Sequence, residues 1–179
     1  MKPYVELDCE YIADIQQELL EIINTSIPTN DSEGWVFLNP KKLIGRASHV
    51  LRFFIERKLL IQDFSVTVLT KTMSMHIDTL PMVAKINIPV ANTQGWTNQW
   101  YDITQQQLDS CEKKIDPLGF EVEDISGLEL PALAQIENQD KIIVFNSRIP
   151  HSVIKNTPKK LPRLVASFTF RNQPMELLQ

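Results

Sequence analysis

The stretch after Leu60 sets the strongest limit on what this chain can fold into. Seven short β-prone segments follow one another there: FSVTVLT (64–70), MVAKINIPV (82–90), NQWYDI (98–103), GFEVEDI (119–125), KIIVFN (141–146), HSVIK (151–155) and RLVASFTF (163–170). Pro, Gly, Asn and Asp separate them, the punctuation of strands joined by turns. Strands in such a series build a sandwich or barrel, not a βαβ sheet. KIIVFN and HSVIK, four residues apart, predict a hairpin. TQQQLDSCEKKID (104–116) reads as a short helix or an excursion between strands.

The residues before the β region are helical in period. YIADIQQELLEIIN (11–24) places Ile12, Ile15, Leu19, Ile22 and Ile23 on one face. Asn39 as N-cap and Pro40 at the first helical position open a second pattern. It runs to Leu60 with Leu43, Ile44, Ala47, Val50, Leu51, Phe54, Ile55 and Leu59 on a broad apolar face. Gly45 weakens that helix without stopping it. The expectation is two helices on one face of a β-sandwich. The change near residue 62 then separates layers of a single domain spanning residues 1–179, the helices in 1–62 and the β core in 63–172.

Composition narrows the function classes. A net charge of −4 argues against a broad nucleic-acid surface, and the one basic cluster, KNTPKKLPR (155–163), reads as a solvated turn. Cys9 and Cys111 form no CxxC and no zinc spacing, which suits a reduced, cytoplasmic protein. The N-terminus MKPYVELDCE lacks the apolar stretch of a signal peptide, and no run approaches the roughly 20 apolar residues needed to cross a bilayer. No membrane association is expected.

Three histidines are present. His49 falls within the second helix and reads as a surface or boundary residue. His76 and Asp78, in SMHIDTLP, share one face if extended, with α-carbons roughly 6.6 Å apart. One ion bound about 2 Å from each donor bridges that gap. The same HxD also fits a turn with no ligand. His151 opens HSVIK and Arg163 opens the last strand, 12 residues later. Two histidines and a carboxylate on a β scaffold are the facial donor set of non-haem Fe(II) oxygenases.

With HID (76–78), PHSV (150–153) and PRLVASFTF (162–170) in this order, the chain resembles the 2-oxoglutarate and Fe(II)-dependent dioxygenases over roughly residues 63–172. The resemblance implies a mainly β fold: a double-stranded β-helix, or jelly roll, braced by two or three α-helices. It implies Fe(II) held by His76, Asp78 and His151, and 2-oxoglutarate held through its distal carboxylate by Arg163, since a guanidinium pairs bidentately with a carboxylate. The implied activity uses O₂ to hydroxylate a peptide or small-molecule substrate while 2-oxoglutarate becomes succinate and CO₂.

The chain departs from the R-x-S pattern of many members, with Val165 where the serine would stand. Ser167 shares a face with Arg163 but lies roughly 13 Å along the strand. In AKINIPV, Lys85 and Asn87 share a face opposite Ala84, Ile86 and Ile88. They either face the barrel interior, Asn87 toward the proximal and Lys85 toward the distal carboxylate, or face solvent. Trp100 and Tyr101 either line the substrate pocket or pack in the core. Two other functions stay open: a nucleic-acid-modifying oxygenase of the same family, and a cupin-like metal-binding or interaction module. The lack of an HxH counts against the cupin.

Overall fold

Arg163–Phe170 is buried along its whole length, and its alternation sets out the architecture. Leu164, Ala166, Phe168 and Phe170 point to one side, and Arg163, Val165, Ser167 and Thr169 to the other. A strand of this kind needs a hydrophobic layer on one side and a polar cavity on the other. The computed structural model of the chain, which describes residues 2–27, 33–78, 83–115, 121–125, 127–172 and 174–179, supplies both.

The strands are β1 (Tyr4–Leu7), β2 (Gly34–Leu38), β3 (Ile61–Leu69), β4 (Met73–His76), β5 (Ala84–Ala91), β6 (Trp96–Tyr101), β7 (Lys113–Ile115), β8 (Glu121–Glu123), β9 (Ala132–Glu137), β10 (Ile142–Asn146), β11 (His151–Lys155) and β12 (Arg163–Phe170). The helices are α1 (Ile12–Ser26), α2 (Ser48–Glu56) and α3 (Gln105–Asp109). A six-stranded antiparallel sheet runs β1-β10-β5-β12-β3-β2, a four-stranded one runs β4-β11-β6-β9, and β7 pairs with β8. α1 and α2 cover the outer face of the larger sheet.

The apolar layer lies between helices and sheet. Ile15, Leu19, Ile22 and Ile23 of α1 and Val50, Phe53 and Phe54 of α2 meet Phe64, Val66 and Val68 of β3, Ile86 and Ile88 of β5, and the even-numbered residues of β12. Phe64 and Phe168 face each other in register and stack with centroids 4.8 Å apart, and Phe54 closes on Phe168 and Phe170. The sheet's other face carries Thr67, Lys85, Asn87, Arg163 and Ser167 toward the smaller sheet.

Several expectations change. The single helix over 39–60 is a 3₁₀ turn (Pro40–Leu43), capped by the Asn39 side chain on Lys41 N–H, followed by α2. Gly45 adopts φ +73°, a left-handed conformation that ends the first turn and redirects the chain. KIIVFN and HSVIK form no hairpin: β10 pairs with β1 and β5, β11 with β4 and β6. Residues 147–150 instead step from one sheet to the other, a gap of about 10 Å that four extended residues span. The first 62 residues supply strands β1 and β2 as well as helices. Within the expected segment 104–116, Gln105–Asp109 form α3, held by a Thr104–Gln107 capping box, and Lys113–Ile115 form β7, while residue 116 lies outside the described residues. Residue 82 and residues 119–120, the starts of two expected strands, lie outside the described residues. Among the described residues no helix is long and apolar enough to cross a membrane.

α2 begins at a residue with no side-chain cap of its own, Ala47. Glu18 of α1 supplies one across the helix interface. Its carboxylate accepts from His49 N–H (3.0 Å) and Val50 N–H (3.1 Å), from the Ser48 hydroxyl (3.1 Å), and meets His49 Nδ1 at 2.8 Å. Burial pushes the Glu18 carboxyl up, but these hydrogen bonds outweigh it and hold it below the ordinary value. Its stabilisation is therefore present above the unfolded value of 4.5 and is lost as pH falls through the lower folded value. Glu18→Gln is expected to lose about 1–2 kcal/mol in urea unfolding at pH 7, with the gap to wild type closing in acid. An unchanged midpoint at pH 7 would refute the cross-helix cap.

Candidate metal centre and anion pocket

His76 ends β4, and His151 opens β11 directly opposite it. On the other side His151 faces Trp100 of β6. The two imidazoles are thus cross-strand neighbours, with centroids 4.4 Å apart. Asp78 follows two residues after His76 and is tied by its backbone N–H to Ser147 O (3.1 Å), in the segment that steps between sheets. The strand pairing and the inter-sheet step together bring three residues from distant parts of the sequence to one point.

Both imidazoles are oriented by the backbone. His76 Nδ1 lies 2.8 Å from Ser74 O, and His151 Nδ1 lies 2.9 Å from Ile149 O. A carbonyl oxygen only accepts, so each Nδ1 carries the hydrogen and each Nε2 offers its lone pair. His76 Nε2 is 3.9 Å from Asp78 Oδ1, and His151 Nε2 is 3.7 Å from Asp78 Oδ2. One donor atom from each residue lies within 4.8 Å of the others. Two bonds of about 2 Å reach across the 3.7 and 3.9 Å separations.

The electrostatics suit cation binding. Burial pushes the Asp78 carboxyl up, but the Lys85 ammonium, with His151 and His76, more than offsets this and holds it below the usual range. Burial, reinforced by His76, pushes His151 down to about 4, which leaves its ring neutral at pH 7. Lys85 Nζ stands 2.8 Å from Asp78 Oδ2 in a largely buried ion pair.

Along the same cavity lies Arg163, only 2% exposed. Burial lowers its guanidinium to about 10, which still leaves it cationic. One terminal nitrogen donates to Asn98 Oδ1 (2.9 Å) and weakly to Gln139 Oε1 (3.5 Å). Its Nε has no partner, and no carboxylate of the described residues pairs with it. Gln139, itself buried, accepts from Asn98 Nδ2 (3.2 Å) and donates to Lys141 O (3.1 Å), so it anchors the group that holds the arginine.

Lys85 and Asn87 both line the cavity. Lys85 sits beside Asp78, at the donor cluster and not at Arg163. Asn87 Oδ1 accepts from the Ser167 hydroxyl (2.7 Å). Trp100 lines the cavity, stacked on Tyr4 at 4.6 Å, with its indole N–H buried and unpartnered. Tyr101 is turned to the other face of β6, where its hydroxyl meets Ser152 Oγ at 2.7 Å. His49 lies far from this centre, in the helix layer. Trp35, Asn98 and Gln139 are cavity or supporting residues that sequence reasoning missed. Trp35 is 45% exposed and meets the His76 ring edge-on at 5.5 Å. Asn98 lies two residues before Trp100 and so shares its face, a period-2 signal that was available. Gln139 carries no such signal, since it enters the site from a turn.

No protein-family model matches the chain, and no curated protein does. Solved structures do. The non-heme alpha-ketoglutarate-dependent carbocyclase SnoK from nogalamycin biosynthesis superposes with a TM-score of 0.60 at 10% identity, over 98% of this chain and 84% of that one. A Pseudomonas putida prolyl-4-hydroxylase gives 0.51 at 10% identity, over 96% and 94%. EvdMO1 gives 0.53 at 12% identity over 95% of this chain, which spans about half of that protein (48%). The fold is the double-stranded β-helix. At these identities the likeness is one of fold; within it His76 ends β4 with Asp78 just beyond, His151 opens β11, the last strand of the smaller sheet in chain order, and Arg163 opens β12, the last of the larger.

Gln139→Leu removes both the acceptor beside Arg163 and the donor to Lys141 O. It is expected to cost about 1–3 kcal/mol, read as a fall in the thermal midpoint. No change would mean that the network does not hold the guanidinium.

Proposed function

We propose that the chain is an Fe(II)- and 2-oxoglutarate-dependent oxygenase that hydroxylates a peptide or small-molecule substrate. The observation that carries this reading is a pairing within one cavity. Two imidazole Nε2 lone pairs and a carboxylate converge at one end, and a buried arginine with no anionic partner among the described residues lies beside them. Two of the buried side-chain atoms without hydrogen-bond partners, Trp100 Nε1 and Arg163 Nε, belong to residues lining this cavity, and Asp78 Oδ2, paired with Lys85, faces the same space. Unsatisfied buried polar groups are rare and costly, and a metal with an anionic co-ligand would satisfy acceptor and donors together.

In this reading His76, Asp78 and His151 hold Fe(II), and Arg163, steadied by Asn98 and Gln139, takes the distal carboxylate of 2-oxoglutarate. When bound, iron and 2-oxoglutarate supply O₂ activation, with succinate and CO₂ as co-products. The protein's own contribution is to fix both imidazole tautomers through Ser74 O and Ile149 O, to keep His151 neutral by burial, and to exclude water with Trp100, Phe145 and Ile143. Trp35, exposed at the rim beside His76, is the first aromatic surface a substrate would meet. The helices and larger sheet share one apolar core, which supports a single domain. The anchored tautomers favour a metal centre over an HxD turn in an interaction module, because a turn has no need to aim two Nε2 atoms at one carboxylate.

Anaerobic titration with Fe(II) and 2-oxoglutarate should produce a visible charge-transfer band that is absent in His76→Ala and Asp78→Ala. Arg163→Ala should weaken 2-oxoglutarate binding by about 30-fold or more with metal affinity retained. Wild-type protein with no band and no succinate formation would end the oxygenase reading.

A further inference from the structure

Lys85 occupies a position that a cosubstrate anchor would not need. Its ammonium lies 2.8 Å from the oxygen of Asp78 that also faces His151, and the two side chains are only 12% and 7% exposed. A cation already stands against the carboxylate that the proposed iron must use. From the metal centre put forward above, we infer that Lys85 is an exchangeable counter-ion: it neutralises Asp78 before metal binds, surrenders it to the metal, and passes its charge to the anionic co-ligand, so that metal and dianion bind cooperatively.

The charge count carries the argument. Without ligands the described lining of the cavity carries one carboxylate, Asp78, and two cationic side chains, Lys85 and Arg163. A divalent metal alone raises the sum of these groups from +1 to +3 in a buried space, where charge is poorly screened. A dicarboxylate returns it to +1. Metal without dianion is therefore disfavoured relative to both together, and the coupling must act equally in both directions. Lys85 strengthens it because the ammonium displaced from Asp78 is held on β5, beside Asn87, within the same cavity. It cannot reach bulk water cheaply and takes an incoming carboxylate as its new partner.

The sign of one measurement separates this role from simple positioning. Cobalt(II), inert in place of iron, is titrated by calorimetry and by tryptophan fluorescence, with and without saturating 2-oxoglutarate. Wild type should bind cobalt about tenfold more tightly or better when 2-oxoglutarate is present. Lys85→Met should bind cobalt more tightly than wild type when 2-oxoglutarate is absent, with the enhancement by 2-oxoglutarate reduced to about two- or threefold. Lys85→Arg should behave as wild type, and Lys85→Gln provides the neutral variant should the methionine protein fold poorly. Weaker cobalt binding by the neutral variants would mean that Lys85 merely orients Asp78, and unchanged binding would mean that it is a bystander; either overturns the inference. Independence of cobalt and 2-oxoglutarate in wild type overturns it as well, without variants. Wild type that binds no cobalt at all overturns the metal centre itself.

Discussion

Polar and charged side chains enclosed between two sheets are costly unless partners meet them there, and this molecule encloses a full set. The larger sheet turns its even-numbered β12 face to the helices and its odd-numbered face to the smaller sheet. The helix side is ordinary hydrophobic packing, with Phe54, Phe64, Phe168 and Phe170 at its centre. The inner side carries Lys85, Asn87, Arg163, Ser167 and Thr67. The rest of the inner architecture answers that constraint: Asn98 and Gln139 for Arg163, Ser167 for Asn87, Asp78 for Lys85.

The answer is incomplete in a consistent way. Arg163 keeps one free N–H and Trp100 keeps its indole N–H. A sheet selected for stability alone would close these gaps with apolar side chains. Leaving them open around two histidines of fixed tautomer marks the cavity as a place where something else binds. The cross-helix cap by Glu18 and the apolar layer keep the scaffold rigid, so the cavity need not collapse to satisfy its own polar groups.

Strand period and ligand order were legible in the chain. HSVIK and RLVASFTF match β11 and β12 to the residue, because both are buried strands bounded by Pro and Lys-rich turns. HxD, a distal histidine and an arginine stand in the order the topology uses. The edge strands β1 and β2 and the exposed β9 were not legible: they are short, and pairing rather than pattern stabilises them. The helix over 39–60 failed at Gly45, where a left-handed turn outweighed a continuous apolar face. The expected hairpin failed because adjacency in sequence says nothing about which sheet a strand joins.

By itself, the sequence determined which faces are apolar and which residues can serve as donors, since alternation and side-chain chemistry are local properties. Only the tertiary structure decided that Lys85 meets Asp78 and not Arg163, that Gln139 enters the site from a turn, and that Tyr101 faces away from it. Those outcomes depend on register and on the step between sheets, which contacts tens of residues apart in sequence impose and no local pattern encodes.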